Sequence, residues 1–287
     1  MGPFRNRAGR VRTTVIRTLF VLGTGVVLTF ALSAWVRFSG LVRAPWAHDH
    51  CSRASSFWGR AMVRLAGVQV VLEGATREKL DRPLVVVANH QSWFDVFVLA
   101  GFLPGRARFV AKEELRRIPI FGAAWETCGH VRVNRGDRAE AVRSLNEAGA
   151  RIRNERLNVI LFPEGTRSAD GHLLPFKKGA FVLALQTQVP ILPVGVSGSR
   201  AVMGKDSFRI RPGVITVRLG EPISVDGLTT ADRDEVLNRA RRDILDLMDP
   251  RDAAPSLAHP PTPHPIPSET PATNPATNPS TSTENTE

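Results

Sequence analysis

The sequence predicts an α/β fold, with a mixed, largely parallel sheet flanked by helices, a membrane-associated helical segment before it and a disordered tail after it. Three observations lead there. Residues 84–87, 157–162 and 191–196 are apolar runs of strand length with little polar alternation, the signature of strands buried on both faces. Stretches of helical periodicity fall between them, as in an α/β sheet. The two ends of the chain have compositions unlike the middle, dividing it into a helical N-terminus (1–67), an α/β domain (68–249) and a tail (250–287).

In chain order, residues 18–36 carry no charge and are rich in Leu, Val, Phe and Ala, a length suited to a hydrocarbon core. Arg5, Arg7, Arg10, Arg12 and Arg17 precede them without an acid, a flank that favours the cytoplasmic side or an anionic leaflet. A cleaved signal peptide is the competing reading, with residues 19–30 as its apolar core and Ala31, Ser33 and Ala34 near the cleavage point. The next segment favours an interfacial helix. Over 54–66, Phe57, Trp58, Ala61, Met62 and Leu65 share one helical face and Arg53, Arg60 and Arg64 the other, although packing against the protein's own core fits the same pattern.

Pro83 introduces the strand at 84–87, and a short strand follows at 108–111. Residues 137–156 predict a helix, with Ala139, Val142, Leu145, Ala148 and Ile152 at helical spacing. After the strand at 157–162 come a helix around 180–186 and the strand at 191–196. Residues 208–210 and 214–219, joined through Arg211, Pro212 and Gly213, predict a hairpin or two edge strands. A closing helix over 232–248 has Val236, Leu237, Ala240, Ile244, Leu247 and Met248 as its apolar stripe. Beyond Pro250 the chain is dominated by Pro, Thr, Ser, Asn and Ala, too poor in apolar surface to offset the entropy of ordering.

The 287 residues carry 38 Lys and Arg against 27 Asp and Glu, a formal charge of +11 that suits phosphate-bearing partners. Nucleic acid is not among them, since no zinc spacing or aromatic RNA-binding signature accompanies the charge and the chain has no Tyr. Cys51 and Cys128 match neither a metal site nor a disulfide framework and are expected to be ordinary thiols.

The chemistry concentrates at strand exits. His90 and Asp95 lie five residues apart, about 140° around a regular helix, so they pair only if the strand ends near His90. Ser92 then becomes an N-cap and Asp95 the third helical residue of a capping box. Capping alone would explain Asp95. His90 beside a carboxylate able to fix its tautomer fits an oriented general base. A second strand exit carries Phe162, Pro163, Glu164, Gly165, Thr166, Arg167 and Ser168; Arg167 offers a planar fork for a phosphate and Gly165 allows close approach to the backbone. Exits of this kind gather on one sheet edge. Lys112 and Arg135 can add cations, while Lys177 and Lys178 read equally well as solvated surface.

The ordered set, Asn89 through Asp95, then the segment from Lys112 to Arg135, then Phe162 through Ser168, then Val189 through Val194, resembles the four blocks of the 1-acylglycerol-3-phosphate acyltransferase family. The resemblance covers roughly residues 68–220. It implies an α/β acyltransferase domain with a membrane-associated N-terminus, and acyl transfer from acyl-CoA or an acyl carrier protein to the sn-2 hydroxyl of lysophosphatidic acid. No metal or resident cofactor is implied. His90 and Asp95 would be the catalytic pair; Lys112, Arg135, Glu164, Gly165, Thr166 and Arg167 would serve substrate binding; Val189 to Val194 would border the acyl or donor site. The expected partners are the lipid bilayer, lysophosphatidic acid and the thioester donor, at the cytoplasmic face of the cell membrane. A full crossing with the basic end inside would put the domain on the wrong side of cytosolic thioesters, so a hairpin or shallow insertion is expected. Another lysophospholipid or glycerol 3-phosphate as acceptor, or a non-catalytic anionic-lipid-binding protein, are the alternatives.

Overall fold

The computed structural model describes residues 5–42, 47–74, 82–133, 149, 152 and 154–253. Two helices come first, α1 (Arg5–Leu41) and α2 (Ala47–Leu65), then β1 (Val68–Gly74), β2 (Leu84–Ala88), α3 (Trp93–Phe102), β3 (Arg106–Lys112), α4 (Phe121–Thr127) and β4 (Val131–Val133). There follow β5 (Leu157–Leu161), α5 (Gly179–Thr187), β6 (Ile191–Ser197), the short α6 (Ser199–Val202), β7 (Gly213–Leu219), α7 (Arg233–Leu247) and the short α8 (Pro250–Ala253). Of the helix expected over 137–156, Gly149, Ile152, Asn154 and Glu155 are helical and the remainder lies outside the described residues, as does the tail from residue 254.

The seven strands lie in the order β1-β7-β6-β2-β5-β3-β4. β6, β2, β5, β3 and β4 pair in parallel, β7 runs antiparallel to β6, and β1 is parallel to β7. β2, β5 and β6 are buried along their whole length because both faces of the sheet are covered. Alternate residues of β2 show the two layers. Leu84, Val86 and Ala88 pack with Val21 of α1, Met62 and Val63 of α2 and Phe94, Val98 and Leu99 of α3. Val85 and Val87 face the other way, onto Phe181 and Leu183 of α5 and Val236, Ala240 and Ile244 of α7.

Three expectations are corrected. Residues 208–210 form no strand, and β7 is not an edge: its outer neighbour is β1, whose alternate polar residues gave no clear strand signal. Pro250 to Ala253 are helical rather than the start of the tail, tied back by Asp252, whose Oδ2 accepts from the Gly198 N–H at 2.7 Å. Cys51 and Cys128 are joined in a disulfide with Cα atoms 5.4 Å apart. A sequence separation of 77 hides the pair from any spacing rule, and the packing of α1, α2 and α4 brings them together beside Val36, Ala54 and Ala124.

α2 and α3 approach so closely that side chains are excluded at the crossing. A Cβ on Gly59 would strike the Phe97 carbonyl oxygen, and one on Gly101 would come 2.9 Å from the Arg60 nitrogen. Gly101→Val should therefore lower stability by about 1–3 kcal/mol through overpacking. Thermal unfolding in detergent checks this, and an unchanged melting temperature would refute the close crossing.

Candidate active site

β2 and β5 are parallel neighbours with Val87 opposite Leu161, so residues 89–92 and 162–168 leave the same sheet edge side by side. Asn89 anchors the first loop to β6: its Nδ2 donates to the Val196 carbonyl at 2.9 Å and its Oδ1 accepts from the Val196 N–H at 2.7 Å. The next residue is gripped by the second loop. The His90 N–H donates to Glu164 Oε1 at 2.6 Å, its carbonyl accepts from the Ser168 N–H at 2.7 Å, and its ring stacks on Phe162 with centroids 4.0 Å apart.

Asp95 is fully buried in the first turn of α3. Its Oδ2 accepts from the N–H groups of Gln91 at 2.7 Å and Ser92 at 2.8 Å and lies 2.9 Å from His90 Nδ1. Two amides and the ring nitrogen thus converge on one oxygen at the start of the helix. The Nδ1–H donates to this oxygen and leaves Nε2 as the basic nitrogen, a tautomer assigned from this partner. Ser92 completes the capping box; its hydroxyl accepts from the Phe94 N–H at 3.1 Å and donates to the Met203 carbonyl at 2.6 Å. That hydroxyl is engaged at both ends and is poorly suited to act as a nucleophile. A second pair, His172 Nδ1 with Asp170 Oδ2 at 2.8 Å, lies more exposed along the loop after Ser168.

The remaining sequence candidates occupy different positions. Glu164 is buried, and besides the His90 amide it accepts the Leu174 N–H at Oε2, 3.0 Å away, so both its oxygens serve the backbone. Gly165 has φ of 72°, and a Cβ there would come 2.8 Å from Lys177 Cε, which brings the ambiguous Lys177 to this loop. Thr166 is exposed. Arg167 Nη1 donates to the Lys205 carbonyl at 3.1 Å, and its guanidinium sits 5.2 Å over the Trp93 ring, a cation–π contact that holds it near the start of α3. Lys112 ends β3 with only its backbone described, and Arg135 lies outside the described residues. Val189 to Val194 enter and form the buried start of β6. Phe162 and Lys177 as neighbours of His90 and Gly165 follow from strand register, for which the sequence carried no signal.

An apolar cavity of about 100 Å³ opens among the helices on the α3 side of the sheet, lined by Leu32 and Val36 of α1, Trp58 of α2, Val96 of α3, Phe109 of β3 and Trp125 of α4. Val96 follows Asp95 in α3, while neither Asp95 nor His90 lines the cavity.

The family described as Acyltransferase matches residues 69–197, a span that holds both strand-exit loops. That span is 129 of the 287 residues. The chain is 33% identical over 189 residues to a 1-acyl-sn-glycerol-3-phosphate acyltransferase of Cocos nucifera, covering 65% of this chain and 61% of that protein. It is 36% identical over 181 residues to the alpha form of the Homo sapiens enzyme of the same name, covering 63% of this chain and 64% of the other. The chain thus spans less than two thirds of the length of these curated relatives. Among solved structures it is similar to the 1-acyl-sn-glycerophosphate (LPA) acyltransferase PlsC of Thermotoga maritima, with 29% identity, a TM-score of 0.69 and coverage of 83% of this chain and 97% of that one.

Burial pushes the Glu164 carboxyl from 4.5 up to about 7, against the two amides and Arg241, which pull it down. A carboxyl raised on folding contributes stability below its unfolded value that is lost as pH rises through the folded one. The stability advantage of the protein over its Glu164→Gln variant should therefore shrink as pH rises from about 5 to about 8. Paired thermal melts across that range check the sign, and a widening gap would contradict it.

Proposed function

We propose that the chain transfers a fatty acyl group from acyl-CoA or an acyl carrier protein to the free sn-2 hydroxyl of 1-acylglycerol 3-phosphate, making phosphatidic acid. The observation that carries this reading is His90 Nδ1 held 2.9 Å from a buried carboxylate, with Nε2 left to act as a base. His90 Nε2 takes the hydroxyl proton as the oxygen attacks the thioester carbonyl, and Asp95 stabilises the imidazolium. The tetrahedral oxyanion collapses with loss of the thiolate, which recovers the proton from His90. Transfer is direct, with no acyl-enzyme.

Arg167, with Lys112 and Arg135 from the sequence blocks, binds the acceptor's phosphate. Gly165 and Thr166 offer backbone to the same group. Glu164 assists from behind by fixing the His90 peptide, since a second anion facing the phosphate would repel it. The apolar cavity beside Val96 suits an acyl chain.

The membrane is the remaining partner. Thr13–Leu41 is long and apolar enough to cross a bilayer. On its outer side Ile16, Leu19, Phe20, Val27, Phe38 and Leu41 are exposed, while Val21 enters the core, which supports a helix lying along the membrane surface. We place the domain on the cytoplasmic face, where acyl thioesters are made. Disulfides are uncommon there, and Cys51 and Cys128 are both buried.

Purified protein in detergent, given a panel of lysolipid acceptors and both donor types, should yield phosphatidic acid from lysophosphatidic acid by mass spectrometry; preference for another acceptor would reassign the substrate. His90→Ala should lower kcat by about 10²- to 10⁴-fold with the melting temperature retained. Near-normal turnover would remove the base. Arg167→Ala should raise the acceptor KM more than it lowers kcat, and an unchanged KM would end its phosphate role.

A further inference from the structure

We propose that the loop of residues 203–211, between α6 and β7, is a second membrane contact: a cationic, aromatic lip that seats the mouth of the site on anionic lipid. The inference rests on the membrane-seated reading above and adds to it a surface outside the helical N-terminus. Phe208 leaves 76% of its area exposed, and Lys205, Arg209 and Arg211 surround it in sequence, with Asp206 the single acid of the loop. A phenyl ring held out among cations suits the boundary where acyl chains meet headgroup phosphates.

Two contacts place this ring where a bilayer would reach it. The Ile210 N–H donates to Thr18 Oγ1 at 2.9 Å, which lays the loop against α1 beside the exposed Ile16, Leu19 and Phe20. The loop is therefore fastened to the helix whose outer side carries the apolar stripe. Its inner side touches the site: the Lys205 carbonyl accepts from Arg167, and the Met203 carbonyl accepts from the Ser92 hydroxyl. One short segment thus borders α1 on one side and the candidate phosphate ligand on the other. An acidic carrier protein would also match the cations, but attachment to an apolar helix favours lipid over a protein surface.

The chain has two cysteines, both in the Cys51–Cys128 disulfide, so Phe208→Cys introduces a single free thiol for a polarity-sensitive dye. Val27→Cys, on the exposed stripe of α1, reports membrane seating separately. The full chain is reconstituted into phosphatidylcholine vesicles with and without phosphatidylglycerol, using lipids brominated on their acyl chains. The dye at 208 should shift to the blue and be quenched several-fold, more so with the anionic lipid. Arg209→Glu with Arg211→Glu should weaken that quenching. Quenching at 27 with a water-like spectrum at 208 would overturn the lip and leave the membrane seat standing. Loss of quenching at both positions would overturn both. A shift at 208 produced only by adding an acyl carrier protein would make the loop a protein-docking surface and overturn the lipid assignment.

Discussion

The Asp95 carboxylate is the contact on which the rest of the site depends. One oxygen serves the Gln91 amide, the Ser92 amide and His90 Nδ1 together. A buried charge left without partners costs several kcal/mol, so the backbone from His90 to Ser92 has to curl around it. That curl is also what ends β2 and starts α3. Strand termination, helix capping and imidazole orientation are thus one requirement met by one side chain, and no version of the cap leaves His90 pointing elsewhere.

The parallel sheet supplies what local chemistry cannot. Because β5 and β6 flank β2, residues after β5 reach across to hold the His90 peptide, and Asn89 ties the same loop to the backbone of β6. The imidazole is braced by a stacked ring, a peptide clamped at both its N–H and its carbonyl, and a carboxylate. This order has a cost. Glu164 remains in a site dry enough to raise its carboxyl to about 7, although two amides pull the other way. A residue at odds with its surroundings is expected where positioning outweighs stability.

Legibility in the sequence follows the range of the interactions. The His90 and Asp95 pairing is local, five residues along one turn, and the cap chemistry of Ser92 announces where the strand must stop. β2, β5 and β6 were readable because burial on both faces leaves an unbroken apolar run. β1 was not, since as an edge strand it carries exposed Gln69, Glu73 and Gly74. The position of β7 depends on pairing with β1, over 140 residues away, and without that partner its sequence reads as a hairpin arm. Cys51 and Cys128 meet only through helix packing. Glu164 shows the same limit at the site: a Glu-Gly-Thr-Arg run suggests a ligand loop, while its grip on the His90 amide exists only in the strand register.

α1 connects the fold to the place where it works. The helix is not a free anchor: Val21 is fully buried in the sheet's core, Thr18 bonds the loop before β7, and Thr29 accepts from the Trp58 indole at 2.9 Å. A helix fastened to its own domain at 18, 21 and 29 cannot stand through a bilayer at those depths without drawing the sheet edge in with it. On the membrane-seated reading the domain therefore meets the leaflet along the flank of α1, the side on which residues 203–211 also lie. A lysolipid is amphiphilic, and lifting its acyl chain into water costs about 0.8 kcal/mol per methylene. On the proposed function, Arg167, tied to that loop through the Lys205 carbonyl, would let the phosphate rise to the guanidinium and the hydroxyl reach His90 while the acyl chain stays in apolar surroundings.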